Sequence, residues 1–179
     1  MKTLYISDLD GTLLTPDVTV SKRSVRILND LMSRGLLFTI ATARSIASVR
    51  YILKDLELTL PMILMNGVCI YDPIKEDYIK LEAFSKEDAV ALISLIEDNH
   101  LKGFLYTINN GELATYYEEL SNKTLQDFHD ERVNRYKKPF TRVEKFSSLL
   151  DKQIIYFTLM DKRENLEQLY EEVKAFPNI

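Results

Sequence analysis

A strand that runs directly into two carboxylates sets the terms for the rest of this chain. Leu4-Tyr5-Ile6 is a short apolar run, and Ser7-Asp8-Leu9-Asp10-Gly11-Thr12-Leu13-Leu14 follows it. Such a run predicts a buried strand of the kind found in parallel sheets, covered on both faces. Side chains i and i+2 of a strand share a face, so Asp8 and Asp10 are predicted to point toward one mouth. Two anions about 4 Å apart repel by roughly 4 kcal/mol at an effective dielectric near 20. A pair held that way at a buried strand end calls for a cation, a shared proton or a reaction. Gly11 is predicted to let the backbone turn where a side chain would obstruct it. A calcium-binding loop needs Gly at its sixth place and Glu at its twelfth. Counted from Asp8, those places hold Leu13 and Thr19, which rejects that reading. A plain turn carrying two solvated aspartates stays open.

The rest of the first half reads as alternating strand and helix. Ser21 is placed to cap a helix whose stripe is Val25, Leu28, Leu31 and Met32, and Gly35 is its natural stop. Leu36 to Ala41 is a second apolar run, so strand, helix and strand form a βαβ unit. That strand ends in Thr42-Ala43-Arg44-Ser45. Ligands of doubly wound sheets sit at the carboxyl ends of the strands, which puts Thr42 on the same rim as Asp8. A hydroxyl there, with the amides of a helix start behind it, can hold a phosphate oxygen. A capping Thr beside a surface Arg is the plainer alternative. Val49, Ile52, Leu53 and Leu56 stripe a second helix, and Pro61 to Met65 is a third strand ending in Asn66-Gly67. Val68 to Tyr71 and Tyr78 to Leu81 predict a hairpin around Asp72-Pro73.

The pattern changes near Ala83. Ser85-Lys86-Glu87-Asp88 has the form of a capping box, ahead of a helix with Ala89, Ile93 and Ile96 on one face. Gly103 to Ile108 and Glu112 to Tyr117 predict a hairpin through Asn109-Asn110-Gly111. A weaker helix spans Ser121 to Tyr136, Gln153 to Met160 is a further strand, and a last helix turns Leu166, Leu169, Tyr170 and Val173 inward. Helices on an antiparallel sheet make an α+β module. The division expected is therefore residues 1–82 for a parallel core and 83–179 for a second module.

Composition narrows the classes. The 179 residues are 46% hydrophobic and 28% charged, with a net charge of −4. The charges are dispersed, which argues against a nucleic-acid partner. Lys137-Lys138 is the one notable basic pair and is read as a solvated face. The single Cys69 excludes an intramolecular disulfide and suits a reducing compartment. With neither a signal-like start nor a run of 18 apolar residues, a cytoplasmic protein with no membrane partner is expected. His100, His129 and Cys69 lack partners at metal spacing and are given structural roles.

The motif Asp8-Leu9-Asp10-Gly11-Thr12-Leu13-Leu14 resembles the first motif of the haloacid dehalogenase (HAD) superfamily, and the Cof-type, subclass IIB phosphatases in particular. Thr42 resembles that family's second motif, where Gly is usual at the place of Ala43. Arg44 and Asn66-Gly67 also match the Cof-type pattern. The resemblance implies an α/β protein: part of a doubly wound parallel-sheet HAD core plus part of an α+β type IIB cap that selects substrate. It implies that Asp8 is the nucleophile, forming an aspartyl-phosphate, and that Asp10 is general acid and base. Thr42, Ala43 and Gly11 would bind phosphate, and Arg44 and Asn66 would lie on the substrate side. Mg2+ would rest on Asp8's carboxylate and Asp10's main-chain carbonyl. The expected substrate is a small phosphorylated metabolite.

Family members carry two later motifs, a phosphate-steadying Lys and an acidic Gly-Asp-x-x-x-Asp segment, which this sequence lacks. The expectation is a truncated reading frame or a fragment with little turnover alone, its exposed core edge inviting self-association. A phosphomutase, or a catalytically dead binding module, are the rival functions.

Overall fold

The first apolar run does form a strand, but an uncovered one. The computed structural model describes residues 2–109 and 111–176, and it divides into two units, Met1–Glu82 and Ala83–Ile179. In the first unit, β1 (Leu4–Ser7) pairs in parallel with β2 (Leu37–Ile40), from Leu4 opposite Leu37 to Ser7 opposite Ile40. The crossover between them is α1 (Lys22–Ser33), and α2 (Ile46–Ile52) follows β2. A single parallel bridge, Ala41 to Ile63, ties β2 to β3 (Met62–Leu64). An antiparallel sheet then runs β3, β4 (Cys69–Asp72), β5 (Asp77–Leu81).

Local chemistry explains the boundaries. The Ser21 hydroxyl accepts the Ser24 N–H at 3.0 Å and starts α1. Its far end closes with Leu36 N–H donating to the Leu31 carbonyl and Gly35 N–H to that of Met32. That motif needs a left-handed residue at Gly35, whose φ is +97°. At the β4–β5 turn, one Asp72 carboxylate oxygen accepts from the amides of Ile74 and Lys75. Those bonds hold its carboxyl below the ordinary range, the Lys75 amide contributing most.

Burial in this unit is uneven. Val49, Ile52, Leu53, Leu56, Ile40 and Leu64 are buried, and Cys69 is sealed in with its thiol pushed up to about 11 by burial. The expectation of a buried β1 is overturned: Leu4, Tyr5 and Ile6 are 49%, 54% and 50% exposed. Among the described strands β1 has only β2 beside it, so its outer edge is unpaired. Leu31, read as part of the inward stripe of α1, is exposed, as is Ile27 one turn earlier.

The second unit packs a four-stranded sheet on both faces, in the order β8 (Thr141–Arg142), β7 (Glu112–Tyr117), β6 (Gly103–Asn109), β9 (Gln153–Leu159). On one face Leu105 meets Ala89 and Ile93 of α3 (Lys86–Asp98), together with Phe146, Leu149 and Ile154. Leu169 of α5 (Arg163–Val173) joins Ile96 and Leu101 nearby. Tyr170, expected inward, is exposed. On the opposite face Phe104 stacks on Phe128 of α4 (Lys123–Tyr136) with centroids 4.9 Å apart, and meets Phe140 edge-on at 5.2 Å. His129 packs edge-on to Tyr117 and Phe140, a structural place.

Caps again fix the helices. Ser85 accepts the Asp88 N–H at 3.0 Å, but Asp88 accepts from the Ser85 hydroxyl rather than reaching its amide. Asn122, one residue beyond the expected Ser121, caps α4 by accepting the Leu125 N–H and also donates to the Met160 carbonyl. His100, with φ +54°, is the left-handed residue that closes α3. The hairpin between β6 and β7 is present, with Asn110 of its loop outside the described residues. Lys102 pairs at 2.8 Å with Glu118, whose second oxygen accepts the Phe146 N–H.

Lys138 contradicts its reading as part of a solvated face. It is 5% exposed, with Nζ 4.4 Å from the centroid of Tyr106 and 5.3 Å from that of Phe140. Burial, with the Arg132 charge adding, lowers its ammonium to about 7. Pro139 follows it directly and brings no N–H of its own, while the Lys138 N–H donates to the Arg132 carbonyl.

Candidate active site

The site begins where β1 stops. Ser7 is its last residue, and the Ser7 carbonyl accepts the Ala41 N–H at 2.9 Å. Asp8 and Thr42 therefore leave adjoining strand ends, Asp8 directly after Ser7 and Thr42 two residues after Ile40, the last registered pair. Strand geometry does not persist through Asp10 as the alternation argument assumed. A five-residue turn, Leu9–Leu13, takes over, closed by the Leu14 N–H on the Leu9 carbonyl at 2.9 Å. Leu9 is fully buried and anchors the turn, while Asp8 and Asp10 on either side of it are exposed. The rise of the second acid out of the turn comes from Asp10 itself, which is extended, and from Gly11 at φ +76°. A Cβ at Gly11 would meet nothing within 4 Å, so the glycine answers to backbone handedness and not to crowding.

The two aspartates differ in their partners. Thr12 Oγ1 donates to Asp8 Oδ2 at 3.2 Å, and the Ser7 hydroxyl donates to the Asp8 carbonyl at 2.8 Å. Oδ1 of Asp8 has no protein partner among the described residues. Asp10 is held through both carboxylate oxygens by Arg44, Nε to Oδ2 at 2.8 Å and Nη2 to Oδ1 at 2.7 Å. The Arg44 side chain is 14% exposed and that of Asp10 53%. The cation that the paired acids called for is thus, at Asp10, a guanidinium supplied 34 residues on.

Thr42 is buried at 5% exposure. Its Oγ1 accepts the Arg44 N–H at 3.2 Å, so its hydroxyl first shapes the turn that aims Arg44. That acceptor role leaves the hydroxyl proton to be given elsewhere. Ala43, at the tip, is exposed. Behind it α2 has only seven residues, and its cap residue Ser45 makes no side-chain capping bond.

Asn66 enters through its backbone. Thr42 N–H donates to the Ile63 carbonyl, Asn66 N–H to that of Thr42, and Met65 N–H to that of Arg44. This ladder locks the end of β2 to the end of β3. It requires Met65, Asn66 and Gly67 all at positive φ, 51°, 57° and 95°. Met65 is buried in that conformation, which costs a non-glycine residue about 1 kcal/mol or more. The structure therefore gathers Gly11, Asp10, Thr42, Ala43, Arg44 and the Asn66 backbone around adjoining strand ends, with Asp8 at the head of the turn.

The donors present suit a hard divalent ion. The Asp8 carboxylate and the main-chain carbonyl of Asp10 are oxygen ligands of the kind magnesium takes, and magnesium commonly uses only one or two carboxylates beside substrate phosphate and water. Among the described residues, no group of three or more His, Cys, Asp or Glu is arranged to hold a metal. None of the described helices is long and apolar enough to cross a membrane.

Known proteins bear on this geometry. A family model for haloacid dehalogenase-like hydrolases matches residues 5–179. The pyridoxal phosphate phosphatase YbhA of Escherichia coli strain K12 is 30% identical over 99 residues, 55% of this chain and 36% of that protein. A solved haloacid dehalogenase-like hydrolase from Bacteroides thetaiotaomicron superposes with a TM-score of 0.77 at 17% identity, covering 98% of this chain and 64% of the other. A HAD subclass IIB sugar phosphatase superposes at 0.69 with 18% identity and the same two shares. The structural likenesses show a shared mixed α/β fold. The stretch aligned to the E. coli relative spans little more than a third of that protein's length. Since the family model runs from β1 to the last residue, the chain belongs to the haloacid dehalogenase-like hydrolases.

Proposed function

We propose that this chain carries the phosphoryl-transfer site of a Cof-type phosphomonoester hydrolase acting on small phosphorylated metabolites. The observation that carries the reading is Asp8 Oδ1, an exposed carboxylate oxygen without a protein partner among the described residues, beside the turn that presents Asp10. Support comes from the family match and from phosphatases among the relatives, one for pyridoxal phosphate and one for sugar phosphates.

In the proposed reaction Asp8 Oδ1 attacks phosphorus and the bond from phosphorus to the ester oxygen breaks. Asp10 gives that leaving oxygen its proton. Water then attacks the aspartyl-phosphate, Asp10 takes the water's proton, and phosphate leaves with Asp8 regenerated. A two-pronged guanidinium grip suits a carboxylate rather than a carboxylic acid, so Asp10 must release Arg44 before it donates. Its 53% exposure leaves room for that movement. Thr42 Oγ1 would give its hydroxyl proton to a phosphoryl oxygen, next to the amides of Ala43 and the turn at Gly11. Bound magnesium would be held by Asp8 and the Asp10 carbonyl and would offset the charge of carboxylate and phosphate. The second unit would serve as the cap that selects substrate, with Arg44 and Asn66 on the substrate side.

The test is hydrolysis of para-nitrophenyl phosphate with magnesium, by the chain and by its Asp8→Asn variant. Acid-quenched mass spectrometry of the peptide containing Asp8 accompanies it. Phosphate release lost in the variant, or a phosphoryl group trapped on Asp8, supports the reading. Hydrolysis that survives Asp8→Asn overturns it, and absence of both signals removes the hydrolase reading for this chain.

A further inference from the structure

Two polar side chains around Tyr106, in the second unit, are buried without a hydrogen-bond partner. Lys138 is 5% exposed, and its Nζ lies 4.4 Å from the centroid of Tyr106 and 5.3 Å from that of Phe140. Among the described residues no carboxylate, carbonyl or hydroxyl accepts from that ammonium. Thr115, 2% exposed, stands opposite Tyr106 in the β6–β7 register, so the two side chains share a face of the sheet. Its Oγ1 is buried and likewise lacks a partner among the described residues. Leaving such groups unmet inside a fold is unfavourable. The backbone holds Lys138 in this place: Lys137 ends α4 at φ +54°, and the Lys138 N–H donates to the Arg132 carbonyl at 3.1 Å. Lys137 itself is exposed.

We propose that Lys138 is a covalent site for small aldehydes, held as an imine beside Tyr106 and Phe140 with the Thr115 hydroxyl as hydrogen-bond partner of the carbonyl oxygen. An amine attacks a carbonyl only as the neutral base. A lysine desolvated in an apolar pocket, or set beside another cation, is the kind that reaches this form near neutral pH. Both conditions hold here: the rings enclose Nζ and Arg132 adds its charge, which together lower the ammonium to about 7. Glu131 pairs with Arg132 at 2.9 Å and accepts from the Tyr136 hydroxyl, and burial keeps Tyr106 neutral, so none of these gives Lys138 a counter-ion. In the step, the Nζ lone pair attacks the carbonyl carbon and the C=O π pair moves to oxygen. That oxygen takes a proton from the nitrogen, giving a carbinolamine whose hydroxyl meets Thr115 Oγ1. Its loss as water, with the second nitrogen proton, leaves the imine. The sum is amine plus aldehyde giving imine plus water, with no oxidant or reductant. A side chain only 5% exposed receives a small electrophile and not a bulky one, which sets the ligand class. The inference does not rest on the hydrolase reading, because the reaction is measured without a phosphate ester.

The experiment is initial-rate labelling of the folded chain at pH 7 with limiting isotope-labelled formaldehyde, sodium cyanoborohydride reducing each imine to a stable methylamine. Peptide mass spectrometry with fragmentation separates Lys138 from Lys137. Lys138 is expected to label about tenfold faster than its exposed neighbour. The advantage should vanish in urea, where the rings disperse, and shrink toward pH 10, where exposed lysines also lose their protons. Thr115→Val should slow Lys138 about threefold and leave Lys137 unchanged, with circular dichroism confirming the fold. Benzaldehyde in place of formaldehyde should favour Lys137. Equal rates at Lys137 and Lys138 in the folded chain overturn the proposal, as does a Lys138 preference that survives urea. A Thr115→Val chain that labels like its parent overturns the role given to Thr115, and fast labelling of Lys138 by benzaldehyde overturns the restriction to small aldehydes.

Discussion

Two strands of nearly the same character have opposite surroundings. Leu4-Tyr5-Ile6 in β1 is half exposed throughout, while Phe104-Leu105-Tyr106 in β6 is 0%, 0% and 4% exposed. Each has an aromatic and aliphatic residues in a row, and each joins a sheet at its predicted place. The difference lies in what is laid over them. β6 has β7 and β9 at its sides, α3 and Phe146 on one face, and Phe128 and Phe140 on the other. β1 has β2 at one side. A run of apolar residues therefore announces a strand, but its cover comes from elements far along the chain.

Mutations sharpen that contrast. The largest effect is expected at Gly103, where a Cβ would lie 2.1 Å from the Thr158 carbonyl oxygen and 3.0 Å from the Leu159 Cα. Both are backbone atoms and cannot swing away, so Gly103→Ala should disrupt β6 and β9 pairing and lower the Tm of the second unit steeply. Gly11→Ala, with open space but φ +76°, should cost only about 1–2 kcal/mol in chemical denaturation. Next comes Phe104→Ala, which empties a site enclosed by Phe128, Phe140 and Tyr117. About 3–5 kcal/mol is expected there. Tyr5→Ala, at a ring that is 54% exposed, should change stability by no more than about 0.5 kcal/mol.

A pH series tests the second unit from another side. Unfolded Lys138 titrates at 10.5 and the folded side chain at about 7. Between those values the unfolded chain binds the extra proton, so stability should rise as pH goes from about 7 toward 10. The slope is at most about 1.4 kcal/mol per pH unit. Arg132 and the rings of Tyr106 and Phe140 are the groups around the amine. Burial raises the Tyr106 hydroxyl, so a neutral Tyr106 accompanies the titration up to about pH 10. Lys138→Met should flatten the slope in a urea-denaturation series. A small effect is expected at the partly exposed Arg44–Asp10 pair. Arg44→Ala should lower stability by about 1 kcal/mol or less and show mainly as a shifted Gly11 amide resonance.

What was legible in the sequence followed short-range rules. Ser21, Gly35, Ser85 and the Asn-Gly hairpin each act over a few residues, and each sits where capping or turn chemistry puts it. The Asp8–Gly11 stretch and Thr42 were legible because they fall at strand ends. The Arg44 grip on Asp10 joins residues 34 apart, and no local pattern announces which carboxylate a guanidinium will choose. Lys138 was misread because a two-lysine string looks solvated. Its burial depends on Tyr106, Phe140 and Arg132 converging from different segments. β8, two residues long, carries too few positions for a period to register.

The left-handed step at Met65, Asn66 and Gly67 has one more implication. It fastens the rim through peptide groups, Thr42, Arg44, Met65 and Asn66 exchanging main-chain bonds. A joint built from amides is indifferent to which side chains hang from it, provided the handedness of those three residues is kept. The side chains along this lip, Ala43 and Asn66 among them, can thus be exchanged during evolution without dismantling the frame that presents them.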